Sequence, residues 1–387
     1  MGALKIKLAH SLTEIKRDQN YFSSDIKFTM EFMLPEILLD ILERLDSKTL
    51  STLCLVSKPM RNLSRPLLFR DFDGGIVSER CLKRLRNFSQ QLLTDPSLAS
   101  QVRSVNIGCI QEADIGELQD IFESLLKHTP NFRHLTVPGA QRFTKFLNNL
   151  LKGQDYLRQL QTFESSPIYG STIRISLQCW QSIFGLTRLL SLSLSNCEYN
   201  STLSSISPEL QGNGDLLLRR VCIENRSLGY TILARLIQSC KRLETFIYVS
   251  PSRYHPEDSD PATIIRALLL HKNSLKHLTF DFCSRDEDED FNQARKLESL
   301  EEFSCLERLY VNQDCLPWKP LLPPSLKLLG ITSPDEPLEP NLFHNLGIAS
   351  HLSLKLLSEL YVTFPLFEGY PEGIFDGFDD RVYINID

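Results

Sequence analysis

The chain of 387 residues carries 42% hydrophobic and 23% charged residues and a formal net charge of −6, ordinary values for a soluble globular protein. Such a balance supplies no global basic field for nucleic-acid binding. No window holds the roughly 18 uninterrupted apolar residues of a membrane span, so neither nucleic acid nor a membrane is an expected partner.

The length suits two or three domains, or one elongated repeat array with a small module attached. At the N-terminus, MGALKIKLAHSLTEIKRDQNYFSS is broken by charges before any apolar run reaches signal-core length, so secretion is not expected. Gly2 is placed as myristoylation requires, but Ile6 occupies the position where that signal needs Ser or Thr. Ten cysteines without a C-x-x-C pair fit reduced thiols, and hence the cytosol or nucleus.

After this extension (1–30), the stretch LPEILLDILERLDSKTLSTLCLVSKPMRNL begins at Leu34. Pro35 suits an early helical position, where its missing N–H costs nothing. The helix that follows, to about Leu45, spreads Ile37, Ile41, Leu45, Leu38 and Leu42 over an arc of about 140°, which Leu39 widens. Asp46 and Ser47 offer cap chemistry for a second helix carrying Leu50, Leu53, Cys54 and Val56. Ser57 offers it for a third, with Met60 and Leu63, which Pro66 is expected to end. Three helices in about forty residues are too few to stand alone. Their broad apolar face predicts cover by another protein or by the residues that follow.

This stretch resembles an F-box. The motif elements are LPEILLDILERLD, then SKTLSTLCLVSKPMRNL, then SRPLLFRDF over 64–72, in the family's order. Pro59 and Met60 stand where the family commonly has an aromatic residue. The resemblance assigns 31–75 to the F-box and implies binding to a Skp-type adaptor, and through it to a cullin-RING ubiquitin ligase. Carried over by position, the adaptor contacts are Leu34, Pro35, Ile37, Ile41, Leu45, Leu50, Val56 and Leu67, each of which reads equally as core of the module itself. A subunit of this kind performs no covalent chemistry and carries no cofactor.

Beyond the F-box a pattern L-x-x-L-x-L recurs ten times: VRSVNI, FRHLTV, LRQLQT, LLSLSL, LRRVCI, LETFIY, LKHLTF, LERLYV, LKLLGI and LSELYV, starting at 102, 132, 157, 189, 218, 243, 275, 306, 326 and 357. Its last two apolar positions lie two residues apart and so share one face of a short strand. The third copy is irregular, with Thr162 in its last apolar slot and Phe163 offering another register. Helical patterns separate the strands, as in IGELQDIFESLLKH, where Ile115, Leu118, Ile121, Phe122, Leu125 and Leu126 recur at three and four. One strand and one helix cannot bury their apolar faces alone, but stacked units can.

The pattern resembles leucine-rich repeats, with Cys197 and Cys283 at the place where that family carries Asn or Cys. The expected fold is therefore α/β: a three-helix F-box, then an irregular solenoid over 76–365 with a parallel sheet on its concave face. A compact βα domain is the alternative. A concave face would present His134, Gln159, Arg220, Glu224, His277, Asp281, Arg308, Tyr310, Glu359 and Tyr361 to a protein substrate, or as an ordinary solvated sheet surface. The acidic run 286–290 reads as a solvated loop, and the 366–387 tail as a cap whose VYINI forms an edge strand. No nucleophile elbow, phosphate loop, dinucleotide fingerprint or H-E-x-x-H helix is present, and the eight histidines show no metal-ligand spacing. The F-box resemblance implies a ubiquitin-ligase substrate receptor, with a non-catalytic repeat scaffold as the alternative.

Overall fold

A computed structural model describes residues 35–74, 79–107, 115–139, 149–150, 157–167, 173–175, 182–199, 216–225, 230–250, 261–282, 296–297, 299–332, 338–363 and 373–386. Leu34, Cys283 and the acidic run 286–290 lie outside these residues. The chain divides into two compact units, Met1–Leu68 and Phe69–Asp387.

In the first unit the described residues form α1 (Pro35–Glu43), α2 (Ser47–Val56) and α3 (Lys58–Leu68). Asp46 caps α2, its side chain accepting from Thr49 N at 2.8 Å, and Ser57 Oγ accepts from Met60 N at 3.3 Å to start α3. Pro66 does not end α3, which continues to Leu68. Proline withholds a donor from the carbonyl four residues back, and that residue, Asn62, is exposed to water, so the defect is tolerated in the final turn.

The second unit begins with β1 (Asp71–Asp73), α4 (Glu79–Thr94) and the short α5 (Pro96–Ala99). Then come β2 (Ser104–Asn106), α6 (Ile115–His128), β3 (His134–Gly139), β4 (Thr162–Pro167), β5 (Ile173–Ile175) and β6 (Ser191–Tyr199). The chain continues through β7 (Arg220–Asn225), α7 (Tyr230–Ser239), β8 (Thr245–Ser250), α8 (Pro261–Leu268), β9 (His277–Phe282), β10 (Arg308–Asn312) and β11 (Leu328–Thr332). It ends with α9 (Pro340–Leu352), β12 (Glu359–Thr363) and β13 (Tyr383–Ile386). All these strands join one open parallel sheet; twelve of them follow one another laterally in chain order, and β5 pairs with the far end of β6. The strand formed by VYINI is the last of the series, alongside β12.

A repeated hydrogen-bond device sets the register. Ahead of β2 to β4 and β6 to β12, two successive N–H groups converge on one carbonyl of the preceding unit: Arg133 and His134 on Arg103 O (2.8 and 2.9 Å), Gln161 and Thr162 on Arg133 O (2.7 and 3.0 Å), Leu190 and Ser191 on Gln161 O (2.8 and 3.0 Å). The same pair recurs down to Ser358 and Glu359 on Lys327 O (2.9 and 3.1 Å). In every unit the first of the two donors follows the first apolar residue of the pattern. The third copy therefore starts at Leu160, not Leu157, and reads Leu160, Phe163, Ser165. Pairing agrees, since Phe163 lies between Leu135 and Leu192, and Thr162 between His134 and Ser191. The device also exposes a strand that the pattern search passes over, because Arg70 O receives Arg103 and Ser104 and so makes Phe69, Phe72 and Gly74 the opening unit.

Beneath the sheet the three apolar positions stack laterally into continuous buried rows, such as Val105, Leu135, Phe163, Leu192, Val221 and Phe246. Each fully buried side chain of this kind contributes about 1.5–3 kcal/mol. Between β10 and β11 the spacing of 20 residues leaves no room for a helix. A single 3-10 turn, Gln313–Cys315, and an extended stretch replace it, with Cys315, Leu316 and Leu322 buried.

One crossover depends on a neutral histidine. Buried His271, at the end of the 3-10 turn after α8, donates from Nε2 to Ile237 O (2.9 Å) and accepts at Nδ1 from Leu243 N (3.3 Å). Burial holds its pKa below the ordinary 6.5, with the Ile237 hydrogen bond opposing. Protonation is thus easier in the unfolded chain, and the contribution to stability is full above the unfolded pKa and declines as pH falls towards the folded one. Between about pH 7.5 and about pH 5.5 the wild type should lose more melting temperature than His271→Gln. Parallel slopes would show that the imidazole does not titrate as described.

Candidate functional site

The core of the helical module is small and complete. Leu38 and Leu42 of α1 meet Leu50 of α2 and Met60 of α3, and Leu45, Leu53, Leu63, Leu67 and Leu68 close around them half-buried. The inner face of α2 takes Leu50 and Leu53, three residues apart, which turns Leu55 outward, while Val56, the last residue of the helix, stands exposed on the flank. Arg61 of α3 donates from Nε to Cys54 O at 3.0 Å, satisfying a carbonyl of the last turn of α2 and fixing the corner that presents them. Ile37 is 49% exposed, Leu55 80% and Val56 67%, and Leu39 is exposed as well. Four exposed large apolar side chains are thus gathered on one small module.

The open face of the sheet presents a different chemistry. One lateral row runs Arg220, Thr245, His277, Arg308, Leu328 and Glu359, and the next runs Cys222, Ile247, Thr279, Tyr310, Gly330 and Tyr361. His277 and Tyr310 stand with ring centroids 5.6 Å apart, and Tyr361 Oη donates to Glu359 Oε2 at 3.2 Å. Burial holds the His277 imidazole below its ordinary pKa, helped by Arg308 and Arg220. Glu224 and Asp281 face the same way nearer the C-terminal ends of their strands; burial pushes the Asp281 carboxyl up, with Asn312 and Thr332 pulling the other way. His134 lies apart from this group, beside Thr162, its pKa lowered by burial while Asp71 opposes.

Comparison with known families matches residues 32–71 to the F-box domain. The chain carries an F-box domain. A search of curated proteins finds no match to the chain. An F-box implies a role in ubiquitin-ligase substrate recognition; F-box domains bind Skp-type adaptors, and F-box proteins are typically non-catalytic. Among the described residues no helix is long and apolar enough to cross a membrane.

Within the F-box the nominated adaptor contacts divide. Ile37 and Val56 are exposed, Ile41 is half-buried, Leu45 and Leu67 pack against the module core, and Leu50 belongs to that core; Pro35 opens α1, and Leu34 lies outside the described residues. Met60, at the position where the family commonly has an aromatic residue, is core, while Pro59 is exposed. Among the described residues Leu55 is the most exposed large apolar side chain, and it is not one of the contacts the family pattern assigns; its signal is the run LCLV, in which helical spacing cannot turn every apolar residue inward. On the sheet one nominated residue moves. Gln159 precedes β4 and accepts a hydrogen bond from Arg188, and Thr162 takes its place on the face.

Proposed function

We propose that this chain is a substrate-recognition subunit of an SCF-type cullin-RING ubiquitin ligase. The F-box docks a Skp-type adaptor through Ile37, Leu39, Leu55, Val56 and the Leu34-Pro35 start of the motif. The second unit is read as a leucine-rich-repeat solenoid whose parallel sheet lines the concave face and holds a protein substrate. Support for the repeat reading comes from twelve strands laid down one after another in chain order, ten of them preceded by the same pair of N–H bonds. The observation that carries the functional reading is the exposed apolar surface of a module whose own core is already filled. The proposed place of action is the cytosol or nucleus.

The test is capture of a recombinant Skp-type adaptor by the purified full chain. Ile37→Asp and Val56→Asp alter exposed positions and should leave the fold intact while lowering capture by at least about tenfold each, the scale of losing one buried apolar contact of about 1.4 kcal/mol or more. The Leu34→Ala, Pro35→Ala double variant should also lose capture. A wild type that captures no adaptor would remove the ligase mechanism and leave a non-catalytic binding scaffold; equal capture by every variant would misplace the interface.

A further inference from the structure

We propose that the sheet face between β7 and β12 is an anchor site for a partner protein segment that presents an anionic side chain next to an aromatic one. This inference rests on the reading of that face as the substrate surface and names the chemistry the surface selects.

The cationic half of the site is Arg220 and Arg308. They occupy the same lateral row with Thr245 and His277 between them, so their Cα atoms stand about 14 Å apart, three strand spacings. Both guanidinium groups disfavour the charged form of His277, so their fields overlap at the middle of the row. Three of the nearby acids have partners of their own. Glu307 pairs with Lys327 at 3.1 Å, Glu244 with Arg242 at 3.3 Å and Arg219 at 3.7 Å, and Glu359 accepts the Tyr361 hydroxyl. Among the described residues neither Arg220 nor Arg308 has an ion-pair partner. Two guanidinium groups beside an imidazole held below its ordinary pKa concentrate positive charge along the middle of the row, with Glu224 and Glu359 at its margins.

The aromatic half is built by a glycine. Gly330 neighbours Tyr310 in the next lateral row, and the Tyr310 ring lies over it, in the space a side chain would fill. A Cβ added at Gly330 would fall into that ring, 2.7 Å from its Cε1. The missing side chain lets the ring lie over the sheet, where it meets the His277 ring at a tilt of 49° and forms with it a half-buried aromatic pair one row from Arg308. Tyr and Arg held in this way are the side chains that most often anchor protein partners. Glu224, Asp281 and Glu359 border the site and would repel a continuous phosphate backbone, so the occupant is a discrete carboxylate or phosphate rather than a nucleic acid.

The test is a microarray of random 12-residue peptides probed with the purified full chain. Its arms place Glu, phosphoserine or Lys within two residues of Phe, Tyr or Trp, and a duplex oligonucleotide is added as competitor. Retention should favour the Glu and phosphoserine arms over the Lys arm by about tenfold, the scale of one charge-assisted contact. Their ratio tells carboxylate from phosphate. Arg308→Glu and Arg220→Glu should abolish the preference, Arg308→Ala should weaken it, and Gly330→Ala should remove the dependence on the aromatic neighbour. Equal retention of the Lys arm, displacement by the oligonucleotide, or an unchanged preference in the arginine variants overturns the proposal. Adaptor capture is measured on the same preparations. Loss of the peptide preference with capture intact defeats this inference alone, and loss of capture with the preference intact defeats the ligase reading alone.

Discussion

Phe163→Ala is expected to cost about 3–5 kcal/mol, while Thr162→Ala, one residue earlier, should cost less than about 1 kcal/mol. A strand has a period of two, so the two residues exchange faces if the register slips by one. Phe163 is buried between Leu135 and Leu192, whereas Thr162 sits half-buried on the open face between His134 and Ser191. Ser165 sharpens the test. Its Oγ is buried in the apolar layer without a hydrogen-bond partner, between Val137 and Leu194, so Ser165→Ala should raise stability by about 1 kcal/mol. Chemical denaturation of the three variants checks the set, and a large loss at Thr162 with a small one at Phe163 would return the strand to the register that starts at Leu157.

That strand also shows why the sequence yields only part of the sheet. Nine of the ten copies reveal themselves because all three inward positions are apolar. The third hides its last inward position behind Ser165, and Leu157, three residues before Leu160, supplies a decoy start with the correct spacing. Phe69 and Phe72 are missed for another reason. They belong to the end of the F-box motif itself, SRPLLFRDF, and the third inward place is Gly74, so nothing in composition marks a change from helix module to sheet. Only the convergence of Arg103 and Ser104 N–H on Arg70 O reveals it.

The F-box is legible because its ordered apolar and capping residues leave few alternatives, and Asp46 and Ser57 act as the caps their chemistry suggests. Which of its apolar residues remain available is not legible. An arc of about 140° on one helix is wider than a neighbouring helix covers, and periodicity does not say which edge is left over. Packing decides it: α2 and α3 take Leu38 and Leu42, and Ile37 is left at the margin. The same limit holds on the sheet. Alternation identifies His277, Arg308 and Tyr310 as facing away from the core, but the absence of a side chain at Gly330 gives Tyr310 its position, and lateral register lies beyond a single strand's pattern.

The end of the sheet supplies the other large expected effect. Ala is the better helix former by about 0.8–1.0 kcal/mol, so Gly→Ala within a helix ordinarily stabilises. Gly116, in α6, has open space around its missing Cβ and should follow that rule, with a gain of up to about 1 kcal/mol. Gly347, in α9, should reverse it. A Cβ there would lie 2.6 Å from Gly377 O and 2.7 Å from its carbonyl carbon, which are backbone atoms without a rotamer to yield. The C-terminal segment docks along one stripe of α9: Phe375 packs edge-on against Phe343 with centroids 5.4 Å apart, Gly377 lies against Gly347, and Asp379 N donates to Ser350 Oγ at 3.0 Å. Pushing the middle contact apart strains the outer two, so Gly347→Ala should destabilise by about 1–3 kcal/mol and speed proteolysis of the segment that leads into β13. Gly377→Ala is the control from the opposite side, because its added Cβ would meet only Gly347 Cα, at 3.9 Å. Equal stability of Gly347→Ala and Gly377→Ala would mean that the segment does not rest on α9 as described, and that the last strand is held by its pairing with β12 alone.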